Sequence, residues 1–488
     1  MYTSTRSKIA VSASKAIIEG IAKDGGLYVL DSINQLKKIE LENLLTKSYK
    51  EVAFEVMKDL LDDFDNDRLK NIIDEAYDNT FAYENVVDVK KCNDSFFLEL
   101  FHGPTMAFKD VALSILPLLL KESKKIQNDN SKTIILTATS GDTGSAALSG
   151  FSKDENVGMV VLYPTCGVSL IQEKQMLSFR NNMLKPTALE GNFDDAQTLV
   201  KKVFNDEALR KKLDEKNIVL SSANSINIGR LIPQIVYYIY SYLELVRKEE
   251  IKLGEKVNFV VPTGNFGNIL ACYMAMNMGV PVNKIICASN SNKVLTDFFK
   301  YNVYDKNREF IKTYSPSMDI LISSNLERLL YYICEDDKLV NELMKSLKDT
   351  GKYTLPEGLK NKLNIFESGY ASEEDTLAAI KKVYDENSYL IDTHTAVAYS
   401  VYKNYVNQTK DSVKTIIAST AHPYKFPKAV CKALGIDNSE DEFTLIEKLY
   451  KKTNTLIPQQ ILKINKEYQK EVWDKEEAFN KLTELVSK

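Results

Sequence analysis

"KVNFVVPTGNFGNILACYMAMNMG", residues 256–279, decides how the chain is read. Val257–Val261 is a valine-rich run interrupted only by the polar Asn258, and an apolar segment of helical length begins at Ile269. Pro262, Gly264 and Gly267 separate the two and end both patterns. A buried strand, a glycine turn and a buried helix in that order form one unit of a parallel α/β sheet. The uncharged stretch from Val257 to Asn283 is long enough to cross a membrane. Its prolines (262 and 281) and glycines (264, 267 and 279) suit a lipid-exposed helix poorly, so a membrane span is rejected.

The same order recurs elsewhere. "KTIILTATSGDTGSAALSG" (132–150) reads as strand, loop and helix, with Gly150 as the helix stop. "VGMVVLYP" (157–164), "NIVLSS" (217–222), "KIICAS" (284–289) and "KTIIAST" (414–420) are further buried-type strands. Residues 1–95 instead carry charged helical patterns such as "LLTKSYKEVAFEVMKDLLDDF" (44–64), and 301–390 reads as a charged helical insertion. The expected division is 1–95, a mostly helical N-terminal domain; 96–255, a first α/β part; and 256–488, a second α/β part. No internal repeat or low-complexity tract is visible.

The chain has 488 residues, 44% hydrophobic and 27% charged, as in a soluble globular protein. A net charge of −4 from 63 basic and 67 acidic residues gives no invitation to nucleic acid. The six cysteines show no CxxC or metal spacing and read as reduced thiols in the cytoplasm. The N-terminus lacks the apolar core of a signal peptide. Oligomeric state is left open, with a monomer favoured. His102, His394 and His422 have no HExxH-type spacing, so no metal is expected and their roles stay open.

Chemistry concentrates in loops that leave strands. In "PTGNFGN" (262–268) the glycines let the backbone approach an anion and the free N–H groups of a helix start point at it, although alone such a turn is more often only a turn. "TATSGDTGSAAL" (137–148) has the same layout, with hydroxyls at Thr139, Ser140 and Thr143; a capped helix start explains it equally well. "SSANSINIGR" (221–230) offers Asn224, Ser225 and an Arg230 guanidinium suited to an oxyanion, or a solvated polar loop. "STAHPYKF" (419–426) brings Thr420 to a strand end and Lys425, a substrate cation or a surface residue. In "FHGPTMAFKDVAL" (101–113), Lys109 sits in apolar sequence, where an ammonium either snorkels or is desolvated for a purpose. Anion cradles at strand carboxyl ends plus a dry, nucleophilic lysine suggest a phosphorylated aldehyde cofactor, and pyridoxal 5'-phosphate fits.

"FHGPTMAFKD", "SGDTGSAA", "PTGNFGN" and "STAHPYKF" together resemble threonine synthase of the longer bacterial and fungal type. "YTSTRS", "DGGLYV", "SPSMDI" (315–320) and "DTHTAVA" (392–398) match as well, so the resemblance spans nearly the whole chain. It implies the fold-type-II, tryptophan-synthase-β-like architecture and the conversion of O-phospho-L-homoserine and water to L-threonine and phosphate. By the same resemblance, Lys109 joins the cofactor aldehyde and moves protons. Gly264, Asn265, Phe266, Gly267 and Asn268 cradle the cofactor phosphate, and Thr420 meets the pyridine nitrogen. Asp142 lies near the cofactor hydroxyl, where many fold-type-II relatives carry Asn; an ionised Asp can only accept there. Ser140 is implied for the substrate carboxylate, and Thr143, Asn224, Ser225 and Arg230, with Lys425 as helper, for the substrate phosphate. Two rivals stand beside this: another lyase of the superfamily, such as a threonine or serine dehydratase, and a non-catalytic binder of phosphorylated ligands.

Overall fold

The computed structural model describes residues 1–154 and 156–487, without the side chain of Asp194. The 256–279 stretch folds as strand Val257–Pro262, buried at every position, followed by helix Gly267–Asn277. It lies inside a six-stranded sheet ordered Phe366–Tyr370, Val282–Ser289, Val257–Pro262, Thr415–Ser419, Ser95–Glu99, Asp88–Cys92. The first five strands are parallel; only the Asp88–Cys92 edge is antiparallel. A second, wholly parallel sheet is ordered Val472–Trp473, Leu184–Leu189, Val157–Pro164, Lys132–Ala138, Ile218–Ser221. Two open, mainly parallel sheets are the α/β architecture read from the sequence.

Helix Ile228–Arg247 packs against helices Gly267–Asn277, Tyr49–Met57 and Lys109–Leu113. Its apolar residues are buried along almost the whole length, which makes it a central pillar that holds Arg230 at its buried first turn.

Three expectations change. The sheets are not contiguous in sequence. The hairpin 88–99 straddles the boundary at 95 and joins the sheet of residues 257–262, whereas Val472–Trp473 crosses back to the sheet of residues 132–138. The 301–390 segment is not only helical, because Phe366–Tyr370 adds an edge strand to the larger sheet. Gly150 does not stop a helix. It is the penultimate residue of helix Asp142–Phe151, and a Cβ there would collide with the Leu113 carbonyl oxygen, so the glycine permits close contact with the helix that begins at Lys109.

The N-terminal region adds a small antiparallel sheet of Ser7–Val11, Tyr2–Ser4 and Tyr28–Leu30 to its helices. Two charged residues tie it to the body. Arg6 grips Glu327 through two bonds of 2.8 Å. The fully buried Arg328 donates to the Tyr28 carbonyl at 2.9 Å and to the Ile226 carbonyl at 2.5 Å, linking the small sheet to the loop before Arg230.

Replacing Arg328 with Met leaves those buried carbonyls without a charged donor, and a loss of about 2–4 kcal/mol is expected in urea unfolding. A midpoint equal to the parent's would show that the guanidinium does not hold the two parts together.

Candidate active site

The backbone brings Lys109 to the end of the strand Thr415–Ser419. The Phe108 N–H donates to the Thr420 carbonyl at 2.8 Å and the His422 N–H to the Met106 carbonyl at 3.1 Å. An isolated antiparallel bridge pairs Ala107 with Ala421. Two loops that are remote in sequence are thus stitched together by main chain, and Lys109 and Thr420 both face one cavity of about 280 Å³. Ser140, Thr143, Asn224, Ser225, Arg230 and the whole run Gly264–Asn268 line the same cavity, so the structure brings these expected residues together.

The glycine loop has a tight seat. Phe266 adopts a left-handed φ of 63° immediately before helix Gly267–Asn277, which turns the helix start toward the cavity. A Cβ on Gly264 would lie 2.5 Å from the Ser317 carbonyl oxygen, so only glycine permits that approach. Asn325 braces the loop by donating its N–H and its Nδ2 to the Asn265 carbonyl at 3.0 and 2.8 Å.

Two donors are left unused in the cavity walls. Tyr237 and Tyr238 both donate to Asn268 Oδ1 at 2.6 Å, while the buried Nδ2 of Asn268 has no partner. Arg230 donates from Nη1 to the Ala223 carbonyl at 2.7 Å, and its buried Nε is unpaired. Burial pushes the Arg230 guanidinium down to about 10. Unpaired buried donors are costly unless a ligand supplies the acceptor. One belongs to the glycine loop and the other to the first turn of helix Ile228–Arg247, and both residues line the cavity, which fits a phosphorylated cofactor beside a phosphorylated substrate.

The charges are arranged around Asp142. Its Oδ1 lies 2.8 Å from Lys425 Nζ and accepts from Gln172 Nε2 at 2.9 Å. Its Oδ2 lies 3.6 Å from Lys109 Nζ and accepts from Ser317 Oγ at 3.2 Å. Burial alone would raise the Asp142 carboxyl, but Lys425 and Lys109 outweigh it and hold the group well below the usual carboxylate range. Burial drags the Lys109 ammonium down; Asp142 opposes this, and Arg230 and Lys425 add to the drop, leaving it at about 8.

Lys425 departs from the expected role. It is fully buried, does not line the cavity, and also donates to the Thr105 carbonyl at 2.6 Å. Its ammonium is committed to Asp142 rather than to a substrate phosphate. Asp142 itself lies behind the cavity wall, at Lys109. His102 bonds Glu99 outside the cavity, and burial lowers the His422 imidazole to about 3. His394 does line the cavity, as do Ser317 and Lys201, which no sequence reasoning singled out as site residues. Ser317 had a signal in "SPSMDI"; Lys201, on an ordinary amphipathic helix, had none.

A lysine amine kept dry beside a glycine loop, between parallel sheets, defines a pyridoxal-phosphate enzyme of fold type II, and residues 88–419 match the family described as pyridoxal-phosphate dependent enzyme. Residues 1–77 match "Threonine synthase N terminus" and 395–466 "Threonine synthase, C-terminal". The chain belongs to the threonine synthase family. It is 38% identical over 467 residues to threonine synthase of Schizosaccharomyces pombe, covering 89% of each protein. It is 40% identical over 436 residues to human threonine synthase-like 1, covering 87% of this chain and 58% of that longer protein. The crystal structure of PLP-bound threonine synthase from Brucella melitensis superposes with a TM-score of 0.86 at 33% identity, covering 100% of this chain and 98% of the other.

The rate at which the cofactor-free protein captures added pyridoxal 5'-phosphate, followed by absorbance, should rise through a midpoint near pH 8 rather than the ordinary lysine value of 10.5. A midpoint above pH 10 would mean that the amine is not desolvated.

Proposed function

We propose that this threonine synthase converts O-phospho-L-homoserine and water into L-threonine and phosphate, using Lys109 as the cofactor-bearing acid/base and Arg230 as the principal anchor of the substrate phosphate. The single observation that carries this reading is that Lys109, the glycine loop Gly264–Asn268 and Arg230, whose buried Nε has no partner, line one cavity.

The glycine loop Gly264–Asn268 is assigned to the cofactor phosphate, and the Thr420 hydroxyl to the pyridine nitrogen. Bound there, pyridoxal 5'-phosphate supplies an aldehyde for amines and an electron sink beside the substrate carbon. Ser140, at the start of helix Asp142–Phe151, is assigned to the substrate carboxylate, which the helix dipole favours. Arg230, with Thr143, Asn224 and Ser225, holds the substrate phosphate and stabilises its charge as it leaves Cγ. Lys109, once free, removes the proton at Cα; a second proton leaves Cβ as phosphate departs from Cγ. A proton is added at Cγ, water gives its hydroxyl to Cβ and its proton to the phosphate, and Cα regains a proton. An amine at about 8 suits this work, because it changes protonation state near neutral pH. Asp142 does not contact substrate; it keeps Lys109 and Lys425 charge-balanced from behind the wall.

A cytoplasmic location, with a monomer favoured over an oligomer, completes the proposal; the free cysteines support the reducing compartment. No helix among those residues is long and apolar enough to cross a membrane.

Phosphate release from O-phospho-L-homoserine with equimolar L-threonine is expected; ammonia release from L-threonine without it would favour the dehydratase reading. Arg230→Ala should raise KM for phosphohomoserine about 10–100-fold, the value of one or two lost charge-assisted bonds, with little change in cofactor affinity. Equal losses in both would remove Arg230 from the substrate site.

A further inference from the structure

Ser317 belongs to the "SPSMDI" segment, which the reaction as described leaves without a task. The residue is pinned from two sides. Its carbonyl is packed on Gly264, and its N–H donates to His394 Nε2 at 3.1 Å. The other ring nitrogen, Nδ1, lies 2.9 Å from Asp392 Oδ1. The His394 proton is therefore on Nδ1, and the Nε2 lone pair is spent on the Ser317 main chain, so His394 positions the serine and is not itself a base.

The hydroxyl has only one possible polarity. Asp142 is ionised and can only accept, so Ser317 Oγ–H donates to Oδ2 at 3.2 Å. The oxygen's lone pairs are left for Lys109, whose Nζ donates to it at 3.2 Å, closer than the 3.6 Å to Asp142 itself. An acceptor aimed at an amine favours the ammonium over the neutral amine.

We propose that Ser317 is a further catalytic residue, whose hydroxyl receives the free Lys109 amine and holds it in its proton-carrying form while a proton is moved between substrate carbons. The balance is simple. Lys109 takes a proton from carbon as a third N–H and the bonding electron pair stays with the substrate. The same nitrogen later returns a proton to carbon, while Ser317 keeps its own proton directed at Asp142 throughout. This rests on Lys109 being the cofactor-bearing amine.

The test compares wild type, Ser317→Ala and Ser317→Thr, first as cofactor-free proteins. The pH midpoint for capture of pyridoxal 5'-phosphate should fall by about one unit in Ser317→Ala and return in Ser317→Thr, since only the latter keeps the acceptor. In the loaded enzymes kcat for threonine formation should fall about 10–100-fold in Ser317→Ala, with cofactor affinity within about threefold of wild type and activity largely rescued by threonine. A wild-type midpoint and kcat in Ser317→Ala would overturn the proposal, as would parallel losses of cofactor affinity in both variants. Ser317→Cys replaces the alanine variant, under the same criteria, if alanine prevents folding. Absence of any cofactor absorbance with wild-type protein would overturn the reading of Lys109 itself.

Discussion

Two buried ammonium groups, Lys109 and Lys425, share the single carboxylate of Asp142, and the rest of the site depends on that arrangement. Buried charge is tolerated only when it is paired and hydrogen-bonded. Here Lys109, Lys425 and Arg230 are buried cations; Asp142 pairs with the two lysines, while Arg230 donates to the Ala223 carbonyl and lines the cavity. Two phosphate dianions are the natural complement. Burial, with Arg230 and Lys425 adding to it against Asp142, lowers Lys109 to about 8, so the cations that await phosphate also help to ready the amine.

Each member of the cluster comes from a different part of the chain, and the sheets put them together. Asp142 opens the helix after strand Lys132–Ala138 in one sheet; Lys425 follows strand Thr415–Ser419 in the other. Lys109 is brought alongside by main-chain bonds to Thr420 and Ala421. The site therefore lies at strand carboxyl ends where the two sheets meet, as expected of open parallel sheets. Arg328 extends the dependence to the N-terminal sheet by holding the Ser225–Ile226 loop through buried carbonyls.

Strands such as Val257–Pro262 and Val157–Pro164 were legible because both faces are buried and their sequences are mostly apolar, with Asn258 the one polar interruption. Phe366–Tyr370, "FESGY", was not, since an edge strand half open to solvent needs no such run and its pairing with Val282–Ser289 is remote. Val472–Trp473 is two residues long and carries no periodic signal. At the site, loops with glycine and hydroxyl signatures announced themselves, and the cavity gathers them. Lys425 was misread because sequence shows a lysine's neighbours along the chain but not the carboxylate that neutralises it. "SPSMDI" and "DTHTAVA" marked the segments of Ser317 and His394, but their roles arise from contacts with Lys109, Asp142 and each other that are remote in sequence.

The most direct test of the account is borohydride reduction of the cofactor-loaded protein, followed by mapping of the peptide that carries the pyridoxyl label. The account predicts the label on Lys109 alone and none on Lys425, although both amines are buried against the same carboxylate. A label on Lys425, on any other lysine, or on none would contradict it.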